Sequence, residues 1–458
     1  MNLHNTSFLL LLSTACLPEK GDDVSCGEGT HLEGSACVAD APPGDDTGEP
    51  TGGEEGGDEG ATDSGTDGGG SDGGSDGGTD GGTNGGSEGG TDGGSDSGTE
   101  GGTEGGTDGG TDGGTDGGTD GGGDSYTVCA TGGTYTSIQD AVDAADDGDT
   151  ITVCAGTYSP VEITEKDLTL QGIDGVEDTI IDAEGSTAVV VDGGVVALSG
   201  FTLTGEAGYN QACAIQISSG TLTFEDGRVA DCTASTSSGS TYGVLVEGST
   251  ATLERITFED NEMTGALVTS WNGHDLVVRH CVFQGNSYDP GSRTGGMVVY
   301  TTNGITEISN NLIYDNIATS NLVTLQGGRS TGAAWVYNNV FYGNNAVLDV
   351  IYLDGYADFE NNIVANNTGP GIGNYGGYDG VCHYSDFYGN TGGNIGSMIE
   401  SDNCLSVDPK FNSATSLDFT LNASFSPLVD AGNPLAGYDD PDGSANDLGA
   451  YGGPYGSW

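Results

Sequence analysis

Lysine and arginine are nearly missing from this chain: eight of them stand against seventy Asp and Glu in 458 residues, a formal net charge of −62. Such a charge repels phosphate backbones and anionic headgroups, so nucleic-acid binding and adhesion to an anionic membrane surface are disfavoured. Long apolar runs are missing too. No stretch of eighteen or more apolar residues exists, and no membrane-spanning helix is expected. Nor do the ten cysteines show the paired CxxC spacing of a structural zinc site. Apolar residues make up 34% of the chain and glycine 87 positions, but they are unevenly spread. Up to about Gly123 there is almost nothing to bury, whereas from Tyr126 onward Val, Ile, Leu, Phe and Tyr recur at short intervals. Only the second part can build a core.

What is present at the N-terminus is a short apolar run, Phe8 to Leu12, then Ser13, Thr14, Ala15 and Cys16. This looks like an export signal over 1–16 ending in a lipobox, with Cys16 as the lipidation site or with cleavage nearby. It departs from the usual pattern in having no Lys or Arg before the run and Ser13 where Leu is common. The expected location is therefore outside the cell, on the outer membrane or cell surface or secreted, with membrane attachment only through an N-terminal lipid. Cysteine usage agrees with export. Close pairs that could bridge locally are Cys26 with Cys37, Cys129 with Cys154, Cys213 with Cys232, and Cys382 with Cys404, which leaves Cys281 over.

Residues 17–41 are too few to hold a core and read as a small Cys-containing segment. From 42 to 124 the chain repeats a Ser/Thr-Asp/Glu-Gly-Gly unit, as in Ser71-Asp72-Gly73-Gly74. Like charges and glycine entropy predict an expanded, disordered tether, with an end-to-end distance on the order of 50 Å. A calcium-binding Gly-Asp roll is the alternative, but it needs an apolar residue in each repeat, and here there is none.

Residues 125–425 carry a repeated frame in which an apolar residue is followed three places later by Asn. The pairs are Phe258/Asn261, Phe283/Asn286, Ile313/Asn316, Phe341/Asn344, Val364/Asn367 and Phe387/Asn390, spaced roughly 23 to 30 residues apart. Asn311, Asn339 and Asn362 add a second Asn two places before the apolar residue in three copies. Period-two patches fill the intervals, for example Leu168/Leu170, Val189/Val191, Ile215/Ile217, Val244/Val246 and Leu276/Val278. A coil of about 25 residues with three short strands can bury its apolar face only by stacking on its neighbours, about 4.8 Å apart. One Asn per coil would then form a ladder, tolerating the left-handed bend and bonding the Asn of the next coil. The fold class expected is all-β, a right-handed parallel β-helix.

The opening of the array, Tyr135 through Ile138-Gln139-Asp140-Ala141 to Gly148-Asp149-Thr150-Ile151 and Gly156-Thr157-Tyr158, resembles that of the pectate-lyase-like right-handed β-helix superfamily. The resemblance implies an amphipathic helix capping the first coil, with Ile138, Ala141, Ala144 and Ala145 on one face. Residues 426–458, through Ser426-Pro427-Leu428-Val429-Asp430-Ala431-Gly432 and Asp440-Pro441-Asp442-Gly443, resemble the closing segment of bacterial surface β-helix proteins.

The same superfamily includes polysaccharide lyases, esterases and hydrolases, and what the resemblance implies can be checked motif by motif. Lyases of the fold resemble one another in using calcium and an Arg or Lys base; Lys166, Arg228, Arg255, Arg279, Arg293, Arg329 and Lys410 are the candidates, none in a lyase motif. For the hydrolases there is only Asn272-Gly273-His274-Asp275, a faint echo of their Gly-His-Gly, and the esterase segments are missing. Asp440, Asp442 and Asp447, beside Asp439 and Asn446, form an oxygen-rich cluster suited to Ca²⁺, or else a solvated acidic turn. Tyr288, Tyr300, Trp335, Tyr337, Tyr352, Tyr356, Tyr375 and Tyr378 supply flat faces on which sugar rings stack, or core packing. The expectation is a non-catalytic surface protein with a polysaccharide partner, against a polysaccharide lyase or glycosidase as the competing class.

Overall fold

The computed structural model describes residues 30–33, 36–39, 125–234, 239–271, 275–288, 298–302, 304–326, 333–374, 380–396 and 399–457. The chain divides into two units, Met1–Gly110 and Thr111–Trp458. In the first, Thr30–Glu33 pairs antiparallel with Ala36–Ala39. Cys16, Cys26, the side chain of Cys37 and the tether expected over 42–124 lie outside the described residues.

In the second unit most coils supply three main strands, some with a further two-residue strand such as Ile317–Ala318, and Ala212–Ala234 runs unbroken through the turns. One coil runs through Leu276–Arg279, Val282–Gln284 and Val299–Thr302, and the next through Ile305–Ser309, Leu312–Tyr314 and Val323–Gln326. Corresponding strands pair in parallel, so that three sheets run the length of the stack. The first sheet runs from Ser125–Val128 to Ile399–Asp402. Side chains alternate inward and outward along each strand, and the inward ones form columns. Phe258, Phe283, Ile313, Phe341, Val364 and Phe387 make one such column, fully buried and in direct register. Phe258 and Phe283 stack at 4.5 Å with rings 2° from parallel. Each buried ring contributes about 2–3 kcal/mol by leaving water, and no single coil could enclose it.

The ladder is present as expected and buried throughout. Nδ2 of Asn261, Asn286, Asn316, Asn344 and Asn367 donates to Oδ1 of the next Asn in line, ending at Asn390, over 2.8–3.0 Å. The same Nδ2 groups donate to a carbonyl of the coil before, as Asn316 does to Phe283 O at 2.9 Å. Its conformational role differs from the expectation. The left-handed residue is the one preceding each ladder Asn: Asp260, Gly285, Asp315, Gly343, Asn366 and Gly389. Alternation along that column has a steric cause. A Cβ at Gly285 would lie 2.8 Å from Asp260 Oδ1, and one at Gly389 would lie 2.4 Å from Asn366 Oδ1. Each glycine therefore makes room for the polar side chain of the coil before it.

A second ladder runs Asn311, Asn339, Asn362 and then Ser385 Oγ at the turn between the first and second sheets. Cysteines stand where ladders begin. Cys232 N donates to Asn261 Oδ1 at 3.0 Å and Cys281 N to Asn311 Oδ1 at 2.8 Å, so the last amide oxygen is satisfied without a further carboxamide to leave unpaired.

The helix cap is Ile138–Ala144, with Ser137 Oγ accepting from Asp140 N. Ile138, Ala141, Val142 and Ala145 are buried, whereas Ala144 faces solvent. Val142 thus takes the place expected for Ala144.

The parallel rungs end at Asp402 and Leu405, earlier than the expected boundary at 425. Phe411–Ser413 and Asp418–Leu421 already form an antiparallel hairpin. This hairpin and the closing segment cover the outer face of the second sheet with a second core, in which Phe419, Leu428, Leu448 and Ala450 pack on Leu312, Val340 and Ile363. The expected division at 425 follows sequence resemblance; the physical division follows where stacking stops.

Candidate functional site

With the second sheet covered, the outer face of the first sheet is where polar chemistry collects. Two outward columns carry it. In register, one reads Thr252, Val277, Glu307, Trp335, Asp358, Val381, and its neighbour Glu225, Glu254, Arg279, Ser309, Tyr337, Glu360, His383.

Arg279 sits at the centre. Its guanidinium lies 3.6 Å from Glu254 and 3.9 Å from Glu307, and over the Tyr455 ring at 4.7 Å. His280 Nε2 donates to Tyr455 O at 2.7 Å while Nδ1 faces Glu254 at 3.7 Å. The neighbouring His280 ring, with the Arg279 and Arg255 charges, holds the Glu254 carboxyl below the usual range despite partial burial. Glu307 accepts from Tyr337 OH at 2.7 Å and Ser309 Oγ at 2.9 Å. Burial, then the Glu307 charge, pushes the Tyr337 phenol far up.

One wall of this face is the closing segment, which runs back along the turns of the first sheet. Left-handed Asn residues hold it there: Asn310 Nδ2 donates to Ala450 O and Gly452 O, and Asn338 Nδ2 to Asn446 Oδ1 and Asp447 O, all at 2.8–3.0 Å. Asn433 Nδ2 and Tyr438 bond Glu360, whose carboxyl burial raises. The three residues expected to bind Ca²⁺ belong to this segment. Asp440 accepts from Gly453 N and Asp447 N, Asp447 from Asp430 N at 2.7 Å, and Asp442 from Ser444 N at 2.9 Å. Their oxygens turn to separate main-chain amides, and among the described residues no group of three His, Cys, Asp or Glu could hold a metal ion. These hydrogen bonds fold the segment.

All the described Lys and Arg residues are engaged. Lys166 Nζ caps the helix carbonyls Val142 O and Ala145 O at 2.7 Å. Arg228 pairs with Glu259, and Lys410 with Asp408 at 2.6 Å. Arg255 meets Asp226 at 2.7 Å, Glu225 at 2.9 Å and Glu254 at 2.5 Å, which drives its pKa still higher. Arg293, Arg329 and the Asn272-Gly273-His274 stretch lie outside the described residues.

The aromatic residues singled out in the sequence are split by the fold. Trp335 and Tyr337 lie on the first sheet's outer face, Tyr300 and Tyr352 on that of the third, and Tyr288 is buried. Tyr356 is 56% exposed, and Tyr375 and Tyr378 lie outside the described residues. Glu254, Glu307, Glu360, His280 and Tyr455 were not marked by any motif. The signal that could have found the first three is coil register: aligned on the ladder Asn, they fall in two adjacent columns. Disulfides join Cys129 to Cys154 and Cys213 to Cys232. Cys382 and Cys404 are thiols facing each other at 2.9 Å, and Cys281 is a buried thiol.

A family model described as "Right handed beta helix region" matches residues 171–331. Among curated proteins none matches the sequence. Solved structures do: a pectate lyase, Pel9A, at 17% identity over 71% of this chain and 95% of that one, with TM-score 0.49. A PL6-family polysaccharide lyase from Pseudopedobacter saltans matches at 16% over 63% and 95%, with TM-score 0.33. A pectin methylesterase from carrot matches at 13% over 65% and 97%, with TM-score 0.32. With the family model matched over residues 171–331 and the parallel rungs from Ser125–Val128 to Ile399–Asp402, the folded part of the chain is a right-handed parallel β-helix.

Proposed function

We propose that this is an exported surface protein, anchored through lipid on Cys16, whose first-sheet face binds a polysaccharide without cleaving it. The observation that carries the reading is Trp335, set in register between Glu307 and Asp358 with Tyr337 in the adjoining column. An indole face stacks on a sugar ring while flanking carboxylates accept from its hydroxyls. Charge selects a neutral glycan: from Ser125 onward seven Lys and Arg face forty-two Asp and Glu. Arg255 and Arg279 lie among carboxylates, which disfavours an arginine acting as base in uronate elimination.

A second reading has one specific support. Glu307 and Asp358 stand two rungs apart in one column, about 9.6 Å between backbones, close to the roughly 6.5–9.5 Å between carboxyls of an inverting glycosidase. One experiment separates the two. Neutral and acidic glycans are arrayed against the full chain with and without calcium, and each bound glycan is then incubated and assayed for new reducing ends and for unsaturated, ultraviolet-absorbing products. Binding with neither product supports the proposal; reducing ends lost in Glu307→Gln support hydrolysis; no binding to any glycan overturns both.

A further inference from the structure

The last rung of the stack has a neighbour on one side only, so its strands are held by half the usual hydrogen bonds. It nevertheless forms the junction from which the closing segment departs. Leu405 N donates to Ser385 O at 2.8 Å, Phe387 N to Leu405 O at 3.0 Å, and Val407 N to Asp386 Oδ1 at 2.9 Å. Beyond these the chain leaves the rungs and runs back to Tyr455 beside Arg279. At the other end of the array the first rungs are tied by Cys129–Cys154.

Cys382 and Cys404 stand at the terminal rung. Cys382 lies in the inward column below Phe359 and is fully buried; Cys404 ends the second ladder, after Asn362 and Ser385, and is partly exposed. Their sulfurs are 2.9 Å apart, and Cys404 Sγ also lies 3.2 Å from Cys382 O. The two rungs are already paired in register here, with Cys382 opposite Ser401, so closing an S–S bond requires no rearrangement of the strands. We propose that Cys382 and Cys404 form a redox-sensitive clasp, closed by a low-molecular-weight disulfide, that fastens the last rung and with it the closing segment.

The two sulfurs have different roles. Cys404 is the one a reagent can reach, and the hydrogen bond from the Cys382 thiol lowers its pKa. The Cys404 thiolate attacks one sulfur of the reagent disulfide; that S–S bond breaks and one reagent thiolate leaves. Cys382 then gives up its proton and attacks Cys404 Sγ, expelling the second reagent thiolate. The pair loses two electrons, the reagent gains them, and the two cysteine protons end on the two released thiols.

The sequence makes the test direct, because no Lys or Arg lies between Arg329 and Lys410 and one tryptic peptide, 330–410, holds both cysteines. The full chain is incubated in its native state with oxidised glutathione, quenched with N-ethylmaleimide in denaturant and digested. Peptide 330–410 should lose two hydrogens and take no maleimide. In Cys382→Ser the peptide should carry one glutathione, trapped on Cys404; in Cys404→Ser the buried Cys382 should take maleimide and no glutathione. Two maleimides after exhaustive oxidation would overturn the proposal, as would equal glutathione uptake by the two variants. Proteolytic release of the closing segment should slow at least tenfold on oxidation of the native protein. An unchanged rate would overturn its role as a clasp.

Discussion

Replacing Asn316 by Ala tests the ladder at its middle. In the native structure Asn316 Oδ1 accepts from Asn286 N at 3.2 Å and Asn286 Nδ2 at 2.8 Å, while its Nδ2 donates to Phe283 O, Tyr314 O and Asn344 Oδ1 at 2.9–3.0 Å. Some of these partners keep another bond: Asn286 Nδ2 retains Phe258 O, and Asn344 Oδ1 retains Asn316 N, a main-chain group that alanine also has. Asn286 N loses its partner, in a site with no exposure at all, whereas Phe283 O keeps its place in the strand pairing with Leu312–Tyr314. One buried orphan at about 1–3 kcal/mol, with a small cavity at about 1 kcal/mol, gives a loss of about 2–4 kcal/mol. At Asn390, which is 9% exposed at the ladder's end, water can replace part of what is lost; the same change there should cost at least about 1 kcal/mol less. The measurement is urea unfolding followed by far-ultraviolet circular dichroism, with Thr252→Ala on the open face as control, expected within about 0.5 kcal/mol of the parent. A loss below about 1 kcal/mol for Asn316→Ala would refute the reasoning, because it would mean that the ladder's bonds are replaced without cost.

Three further outcomes are expected. Burial raises the Asp349 and Asp386 carboxyls from 3.8 to about 6; since the folded value exceeds the unfolded one, the native state binds protons more tightly, and stability should rise as pH falls from 7.5 through 6 and level off below about 4. Asp349, 2% exposed with Oδ2 unpartnered, should account for up to about 3 kcal/mol of this, so Asp349→Asn should be the more stable protein at pH 7.5 and show a flatter pH profile in the same unfolding assay. Replacing Cys213 and Cys232 by Ser opens a loop with a sequence separation of 19 and should lower stability by about 3 kcal/mol, read as a shift of the urea midpoint.

How much of this was legible beforehand follows from what each residue repeats. The Phe–Asn frame exposed the coils because the same rung geometry imposes the same residue each time round; Asn261 to Asn390 were found by spacing alone. The paired asparagines at 310–311, 338–339 and 361–362 were equally visible, yet only the second of each pair was read. The first grips the closing segment, which makes contacts across more than a hundred residues that no local pattern encodes. For the same reason the acidic cluster around Asp440 looked like a cation site: its composition suits calcium, and only the three-dimensional path shows its oxygens accepting from amides of that segment. Trp335 is visible as one of eight aromatics, but the carboxylates beside it, Glu307 and Asp358, are not, because loops of unequal length separate the coils and facing residues are 28 apart in one case and 23 in the next.

The central claim is that the open face of the first sheet is a glycan platform built on Trp335. Isothermal titration of the full chain with the best neutral glycan from the array, beside Trp335→Ala, measures it. The alanine variant, with unfolding midpoint within about 1 kcal/mol of the parent, should bind at least tenfold more weakly, a loss of about 1.4 kcal/mol or more. Equal affinity for the two proteins would contradict the account.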